Sequence, residues 1–507
     1  MSPSLRRKGE RPQHHDRRWA ALAVLMLPVL LIAVDNTVLS FALPAISGDL
    51  EPTGPQLLWI VDIYSLVLAG LLVPMGSLGD RIGRRRILLI GSTGFAVISL
   101  AAAFAPSAEW LIAARAAMGL FGSVLMPATL SLIRNIFVDP QERRRAIAIW
   151  AAGFSGGAAL GPIVGGFLLE HFSWGSVFLL AVPVLIPLLV FAPMLVPESK
   201  DPSPNPIDLI GIVLVMATMT PLVYGIKTFA SDGLRGDVVV GLVVAVVAGF
   251  AFVRRQLRRP DPMLDVRLFT NSAFSGAVLA NLLSVFSLVG FLYFISQHLQ
   301  LISGKTPLQA GIVLIPGLAA TVISGLAVVP VVRRFTPAQV VSGGLALNAV
   351  GFGIVTIAGP AGSDLGLITA FVILGAGIGA AETISNDVIL SAVPAHKAGA
   401  ASAISETAYE TGAVLGTAVL GSILNAAYSS HLTIPAGIPD DARAAAQETL
   451  GGATEVASHV GGDAGAQLLE SARSAFDSGV ALTSGIGVVL MILAAAMSLR
   501  TLRKAES

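Results

Sequence analysis

The chain has no cysteine among its 507 residues, which excludes disulfides, thiolate metal sites and thiol redox chemistry. Charge is scarce too. Only 12% of residues are Asp, Glu, Lys or Arg, about half of the roughly 25% typical of soluble domains, so a water-exposed globule is excluded. The net charge is +1 and the basic residues form short clusters between apolar runs, so nothing points to nucleic acid. The first apolar run lacks a small-residue cleavage site and contains Asp35. It reads as a retained span, not a signal peptide.

What is abundant is apolar sequence: 54% hydrophobic residues, with a mean hydropathy of +0.79. Apolar stretches of roughly 20 residues, each long enough to cross a bilayer, recur along almost the whole length. The expected fold class is an all-α integral membrane protein with fourteen spans, near 19–44, 57–78, 87–105, 109–133, 145–169, 176–196, 208–227, 236–254, 272–298, 308–330, 338–358, 364–392, 399–427 and 478–500. An even count puts both termini on one side. Segments on that side hold 26 of the 32 basic residues, while the opposite side holds only Lys227, Arg235, Lys305, Arg443 and Arg473, with Arg115 inside a span. This asymmetry predicts cytoplasmic termini.

The expected organisation is a tail (1–18), a six-helix bundle (19–196), a proline-rich linker (197–207), two inserted helices (208–254), a second linker (255–271), a second six-helix bundle (272–500) and a tail (501–507). Within the second bundle, 428–476 is a long external loop with helical stretches, read as a solvated cap or lid.

Six acids interrupt these apolar helices: Asp35, Asp62, Glu382, Asp387, Glu406 and Glu410. Each costs on the order of 2.5–3.5 kcal/mol in hydrocarbon, and intramembrane acids usually mark a path for protons or cations. At 1.5 Å per residue, Asp35 lies roughly 22 Å from the cytoplasmic start of its helix. Asp62 sits near the outer end of the second span, Glu406 in the inner half, and Glu410 near the middle. Glu406 and Glu410, at i and i+4, share a face, whereas Glu382 and Asp387 diverge by about 140°. Trp59, Tyr64, Tyr293, Phe294 and Tyr409 are candidates for cation–π contacts. A carboxyl that holds a proton or a cation, but not both, is the minimal antiporter.

Between the second and third spans the chain reads Gly76-Ser-Leu-Gly-Asp-Arg-Ile-Gly-Arg-Arg-Arg86, combining a tight turn at Gly83 with Asp80, Arg81 and Arg84. The fifth span carries Gly157, Gly161 and Gly165 on one smooth face, with Pro162 as a kink. The first span reads AVDNTVLSFALP from Ala33 to Pro44. Together these resemble the signature loop, the G-x-x-x-G-P-x-x-G-G motif and the helix 1 motif of the major facilitator superfamily's fourteen-helix drug:proton antiporters. Ser40 stands where that helix 1 motif usually has Asn. Trp59–Gly70, Ser405–Gly412 and the blocks DPMLDVRLF, FISQHLQL and AFDSGVA resemble the QacA-type pumps, so the likeness covers nearly the full chain.

The resemblance implies proton-coupled efflux of lipophilic cations: quaternary ammonium antiseptics, ethidium, acriflavine and fluoroquinolones. It implies proton coupling through Asp35 and Arg115, and substrate recognition by Asp62, Glu406, Glu410 and the aromatic residues. Glu382 and Asp387 are further acids, Asp387 also a candidate for the cytoplasmic gate. Gly76, Asp80, Arg81, Gly83, Arg84, Gly157, Gly161, Pro162 and Gly165 serve gating and packing. Thr321 stands where pumps of divalent cations carry an acid, which argues against divalent export. Gly304-Lys305-Thr306 lacks the P-loop glycine, position 299 being Leu, and Gly375–Ala380 follows no strand. No cofactor, metal or enzymatic reaction is expected; the expected partners are cationic small molecules, protons and lipids, met by a monomer. The rival readings are export of an endogenous amphiphile, and a non-transporting membrane sensor.

Overall fold

The computed structural model describes residues 12–200, 208–262, 264–358, 364–392 and 398–506. The start of the N-terminal tail, residues 201–207 of the linker and the side chain of Asp80 lie outside the described residues. Every long element is a helix. In chain order they are α1 Pro12–Leu50, α2 Gly54–Ile82, α3 Arg84–Ala102, α4 Ala108–Gly122, α5 Leu125–Ile136, α6 Pro140–His171, α7 Ser176–Leu179, α8 Ala181–Leu195, α9 Leu209–Asp232 and α10 Gly236–Arg258. They continue as α11 Ser272–Gln297, α12 Pro307–Val331, α13 Pro337–Ala358, α14 Asp364–Ser391, α15 Ala398–Gly416, α16 Ser422–His431, α17 Asp440–Glu448, α18 Leu450–Val460 and α19 Gly462–Glu506. Thirteen helical segments among the described residues are long and apolar enough to cross a membrane, α4–α5, α7–α8 and α15–α16 each counting as one. The 32-residue α6 is the remaining element of that length.

Local chemistry explains the boundaries. Thr53 and Gln56 cap α2 reciprocally, with Pro55 in its first turn, and Thr306, Pro307 and Gln309 repeat the device at α12. Gly233, at φ 75°, ends α9. The helix thus runs five residues, to Asp232, beyond the sequence expectation, which ended the span at Lys227. Exposed Val243, Val246, Phe250, Ile323 and Leu326 form the apolar outer surface expected of lipid-facing helices.

Two hydrophobic cores organise the chain. One joins α1–α8 around Tyr64, Phe95, Leu111, Phe137 and Phe178. The other joins α11–α19 around Phe274, Phe291, Phe352 and Phe371, and takes in Phe41, Leu43, Leu57 and Leu58 from α1 and α2. The α9–α10 hairpin is pinned at its base by Asp208. Its carboxylate caps the Gly211 amide at 2.9 Å and accepts bonds from Arg255 at 2.8 Å and Gln256 at 3.0 Å. Burial pushes this carboxyl up, but those bonds outweigh it and hold it below the ordinary range.

The turn Gly83–Arg86 is held by the segment after α8. Glu198 accepts the Arg85 and Arg86 amides at 3.0 and 3.1 Å, a carboxylate on the N-terminus of α3. Arg85 donates to the Val196 carbonyl at 3.0 Å. Gly83, at φ 117°, packs directly on Glu198, where a side chain would collide.

At the opposite end, the segment after α16 folds into α17, α18 and the first turns of α19, which runs unbroken for 45 residues. This cap ties the two halves together. The Ser47 and Thr449 hydroxyls lie 2.8 Å apart, and the Gly54 amide donates to Glu448 at 2.7 Å. Beneath it, Ser296 donates to the Ser40 carbonyl at 2.7 Å and Gln300 to the Phe41 carbonyl at 3.2 Å.

Candidate functional site

The site lies where the two halves meet. The glycine stripe of α6 lets α1 approach closely. A Cβ at Gly157 would fall 3.0 Å from the Leu30 carbonyl, and one at Gly161 would overlap the Thr37 hydroxyl. Thr37 donates across this contact to the Ala158 carbonyl at 3.2 Å. Pro162 and Gly165 are buried in the same helix, Gly165 against Val38.

This packing carries Asp35 to the interior, 6% exposed, where Arg115 of α4 meets it. Arg115 Nη1 donates to Asp35 Oδ2 at 2.7 Å and Nε to the Ile60 carbonyl at 3.3 Å. The guanidinium lies 4.5 Å from the centre of the Tyr64 ring, which in turn packs edge-on against Phe95. Glu410 of α15 approaches this group from the other half, facing Ser65 and Arg115. Its Oε2 is buried without a hydrogen-bond partner.

Asp62 stands one turn before Ser65 on α2 and is 1% exposed. Lys227 Nζ of α9 lies 2.9 Å from its Oδ2 and 4.1 Å from the centre of the Trp59 ring. Lys227 therefore leaves the set of extracellular loop residues to which the sequence assigned it. Because α9 continues to Asp232, Lys227 sits inside the helix and is buried.

Glu406 is half-buried, one turn from Glu410, and Glu382 of α14 is near enough for the two carboxylates to repel. Beside them Ser405 donates to Asn386 and accepts from Asn281 Nδ2 at 3.0 Å, joining α11, α14 and α15. Asp387, next to Asn386, is exposed. Tyr409 packs edge-on against Phe154 of α6 across the halves, with ring centres 5.9 Å apart. Tyr293 is buried beside Gly421, away from the cavity wall, and Phe294 packs against Phe291. Thr321 bonds the Gly317 carbonyl and packs on Gly375 and Gly379.

A cavity of about 60 Å³ opens between the halves, with Asn36, Asp62, Ser65, Arg115, Phe154 and Tyr409 on its wall. Drug-sized pockets measure roughly 300 Å³ or more. A drug-sized ligand therefore enters only when the helices part.

Sequence reasoning missed two features. Lys227 was discoverable as a lone lysine inside an apolar window that extends to the Asp232–Gly233 stop signal. The Asn281–Ser405–Asn386 network carried no signal, since single polar residues on three helices have no periodicity.

An all-helical bundle in two cores, with ion pairs and a cavity at their junction, defines a membrane transporter. The chain belongs to the Major Facilitator Superfamily, whose family model matches residues 25–417. It is similar to the multidrug efflux pump LfrA of Mycolicibacterium smegmatis, 56% identical over 481 residues and 95% of each chain. The methyl viologen resistance protein SmvA of Salmonella typhimurium is 38% identical over 485 residues, covering 95% of this chain and 98% of that one. Among solved structures, a bacterial homologue of the human lysosomal transporter Spinster, inward-facing and unoccupied, superposes with a TM-score of 0.67. That match covers 98% of this chain and 99% of the other at 18% identity, and supports the fold.

Proposed function

We propose that this transporter is a proton-coupled multidrug exporter of lipophilic cations, working by alternating access in a bacterial cytoplasmic membrane with both termini in the cytoplasm. The observation that carries the reading is the cavity between the halves. Asp62 and Arg115 stand on its wall, with Asp35 and Glu410 immediately behind. A carboxylate in such a setting needs neutralising by a guanidinium, an ammonium, a substrate cation or a proton.

In this mechanism Asp35 exchanges Arg115 for a proton when the halves rock. The acids of α2 and α15 receive the substrate's positive charge, and Trp59, Tyr64 and Tyr409 supply aromatic faces. Exchange of one proton for one monovalent cation is electroneutral. Each further proton adds about 2.3 kcal/mol per 100 mV of membrane potential. Thr321, engaged in helix packing, leaves that stretch of α12 without an acid for a second positive charge. The reading further includes action as a monomer, with α1–α8 and α11–α19 as the rocking bundles and the Gly76–Arg86 turn, including Arg81 and Arg84, bearing on their movement.

The test is ethidium efflux from energised cells expressing the protein, with and without a protonophore. Efflux abolished by the protonophore is the expected result. Efflux that survives collapse of the proton gradient, or none at all from cells that make the protein, contradicts it.

A further inference from the structure

α9 is one of the two helices that lie between the halves in sequence, and it places a full positive charge in their junction. Lys227 is 2% exposed within a span that is otherwise apolar from Leu209 to Phe229. An intramembrane lysine is costly, and packing alone would not require it, since an aliphatic residue fills the same contact. Its ammonium lies 2.9 Å from Asp62 Oδ2 and 4.1 Å from the centre of the Trp59 ring. A carboxylate beside an aromatic face is the arrangement that recognises ammonium and quaternary ammonium groups. The two residues differ in where they stand: Asp62 is on the cavity wall, while Lys227 and Trp59 are not. Around them, Leu66 of α2, Val223 of α9, and Val414 and Ala418 beside the α15–α16 junction form a small separate apolar cluster, with Met216 and Met219 packed against it. The ammonium thus reaches Asp62 from the α9 side while the cavity meets it from another.

We propose that Asp62 and Trp59 form an onium-binding subsite that Lys227 fills from within the chain. A lipophilic cation arriving through the cavity takes Asp62 by displacing the Lys227 ammonium. The proposal rests on the cation-export reading above and makes α9 part of recognition. It carries an unusual sign: removing a positively charged side chain strengthens binding of a cation. A lysine that merely pins α9 to α2 predicts the reverse, because its loss loosens the contact and leaves binding unchanged or weaker.

The experiment is equilibrium binding of tetraphenylphosphonium to the full-length protein in lipid nanodiscs at mildly alkaline pH, so that protons do not replace the ammonium as competitor. Wild type, Lys227→Met, Lys227→Arg, Asp62→Asn and the Lys227→Met/Asp62→Asn double variant are compared, with thermal unfolding to verify each fold. The proposal expects Lys227→Met to bind about tenfold tighter than wild type. Lys227→Arg stays near wild type, and the gain disappears in the double variant. If Lys227→Met does not fold, Lys227→Gln, which retains a donor for Asp62 without charge, must show the gain. A folded Lys227→Met or Lys227→Gln that binds no tighter than wild type, or a gain that survives Asp62→Asn, overturns the proposal while leaving cation export standing. A wild type and variants that bind no tetraphenylphosphonium overturn both.

Discussion

Asp35→Asn should destabilise the protein and uncouple it, and the two effects can be separated. The carboxylate and the Arg115 guanidinium are 7% and 2% exposed at 2.7 Å. At an effective dielectric constant of about 20, their attraction at that distance is about 6 kcal/mol, much of it offsetting the desolvation of both groups. Removing one partner leaves the other buried and uncompensated, at a cost of about 3–5 kcal/mol. Arg115→Met should cost a similar amount, since the guanidinium also gives up the Ile60 carbonyl and the Tyr64 face. The double variant Asp35→Asn/Arg115→Met carries neither charge. Its loss should fall short of the sum of the single losses by about 2–3 kcal/mol. Reversible unfolding in mixed micelles measures all four corners of the cycle. A coupling below about 0.5 kcal/mol would refute the claim that the pair acts as one buried unit. Transport gives the second readout. The double variant, though spared a lone buried charge, should no longer move protons with substrate, because no carboxyl remains at that position to carry one.

Three further outcomes follow from the packing. The chain has no native cysteine, so Ser47→Cys/Thr449→Cys can be made directly; oxidation should lock the cap to α1 and stop efflux, with reductant restoring it. Continued efflux from the cross-linked protein would show that the cap end need not open. Gly161→Leu should overpack the α1–α6 contact against Thr37 by about 1–3 kcal/mol or more, seen as a lower unfolding temperature and lost transport, whereas wild-type behaviour would contradict the close approach. Asp208, held low by Arg255 and its neighbours, contributes stability that is fully present above the ordinary Asp value of 3.8 and is lost as pH falls below it. Hydrogen exchange across α9–α10 should therefore quicken in acid in wild type, and Asp208→Asn should flatten that dependence.

Some of this was legible from residue types alone. The helices follow from apolar runs and caps, and Asp35, Asp62, Arg115, Glu406 and Glu410 announce themselves by their cost in hydrocarbon. Partnerships are a different matter. Asp35 meets Arg115 across 80 residues, and Asp62 meets Lys227 across 165, on helices whose mutual rotation depends on the full set of packed side chains. Ending the seventh span at Lys227 hid the second pair, because a lysine at a helix end looks like an interfacial anchor. The break between α4 and α5 at Ser123–Val124 has a local cause: Pro127 has no N–H for the Ser123 carbonyl four residues back, beside the Gly122–Ser123 pair. The cap was expected as helical stretches in a solvated loop. Its hydrogen bonds to α1 and α2 arise from two hydroxyls and from a backbone amide on the Glu448 carboxylate, a pairing that carries no signature in sequence.

The most direct measurement of the central claim uses purified protein in liposomes with a pH-sensitive dye trapped in the lumen. On adding ethidium outside, a proton antiporter that carries the dye inward must carry protons outward. The account predicts lumenal alkalinisation with wild type and none with Asp35→Asn. Ethidium uptake by wild type without any change in lumenal pH, or full alkalinisation with Asp35→Asn, would contradict it.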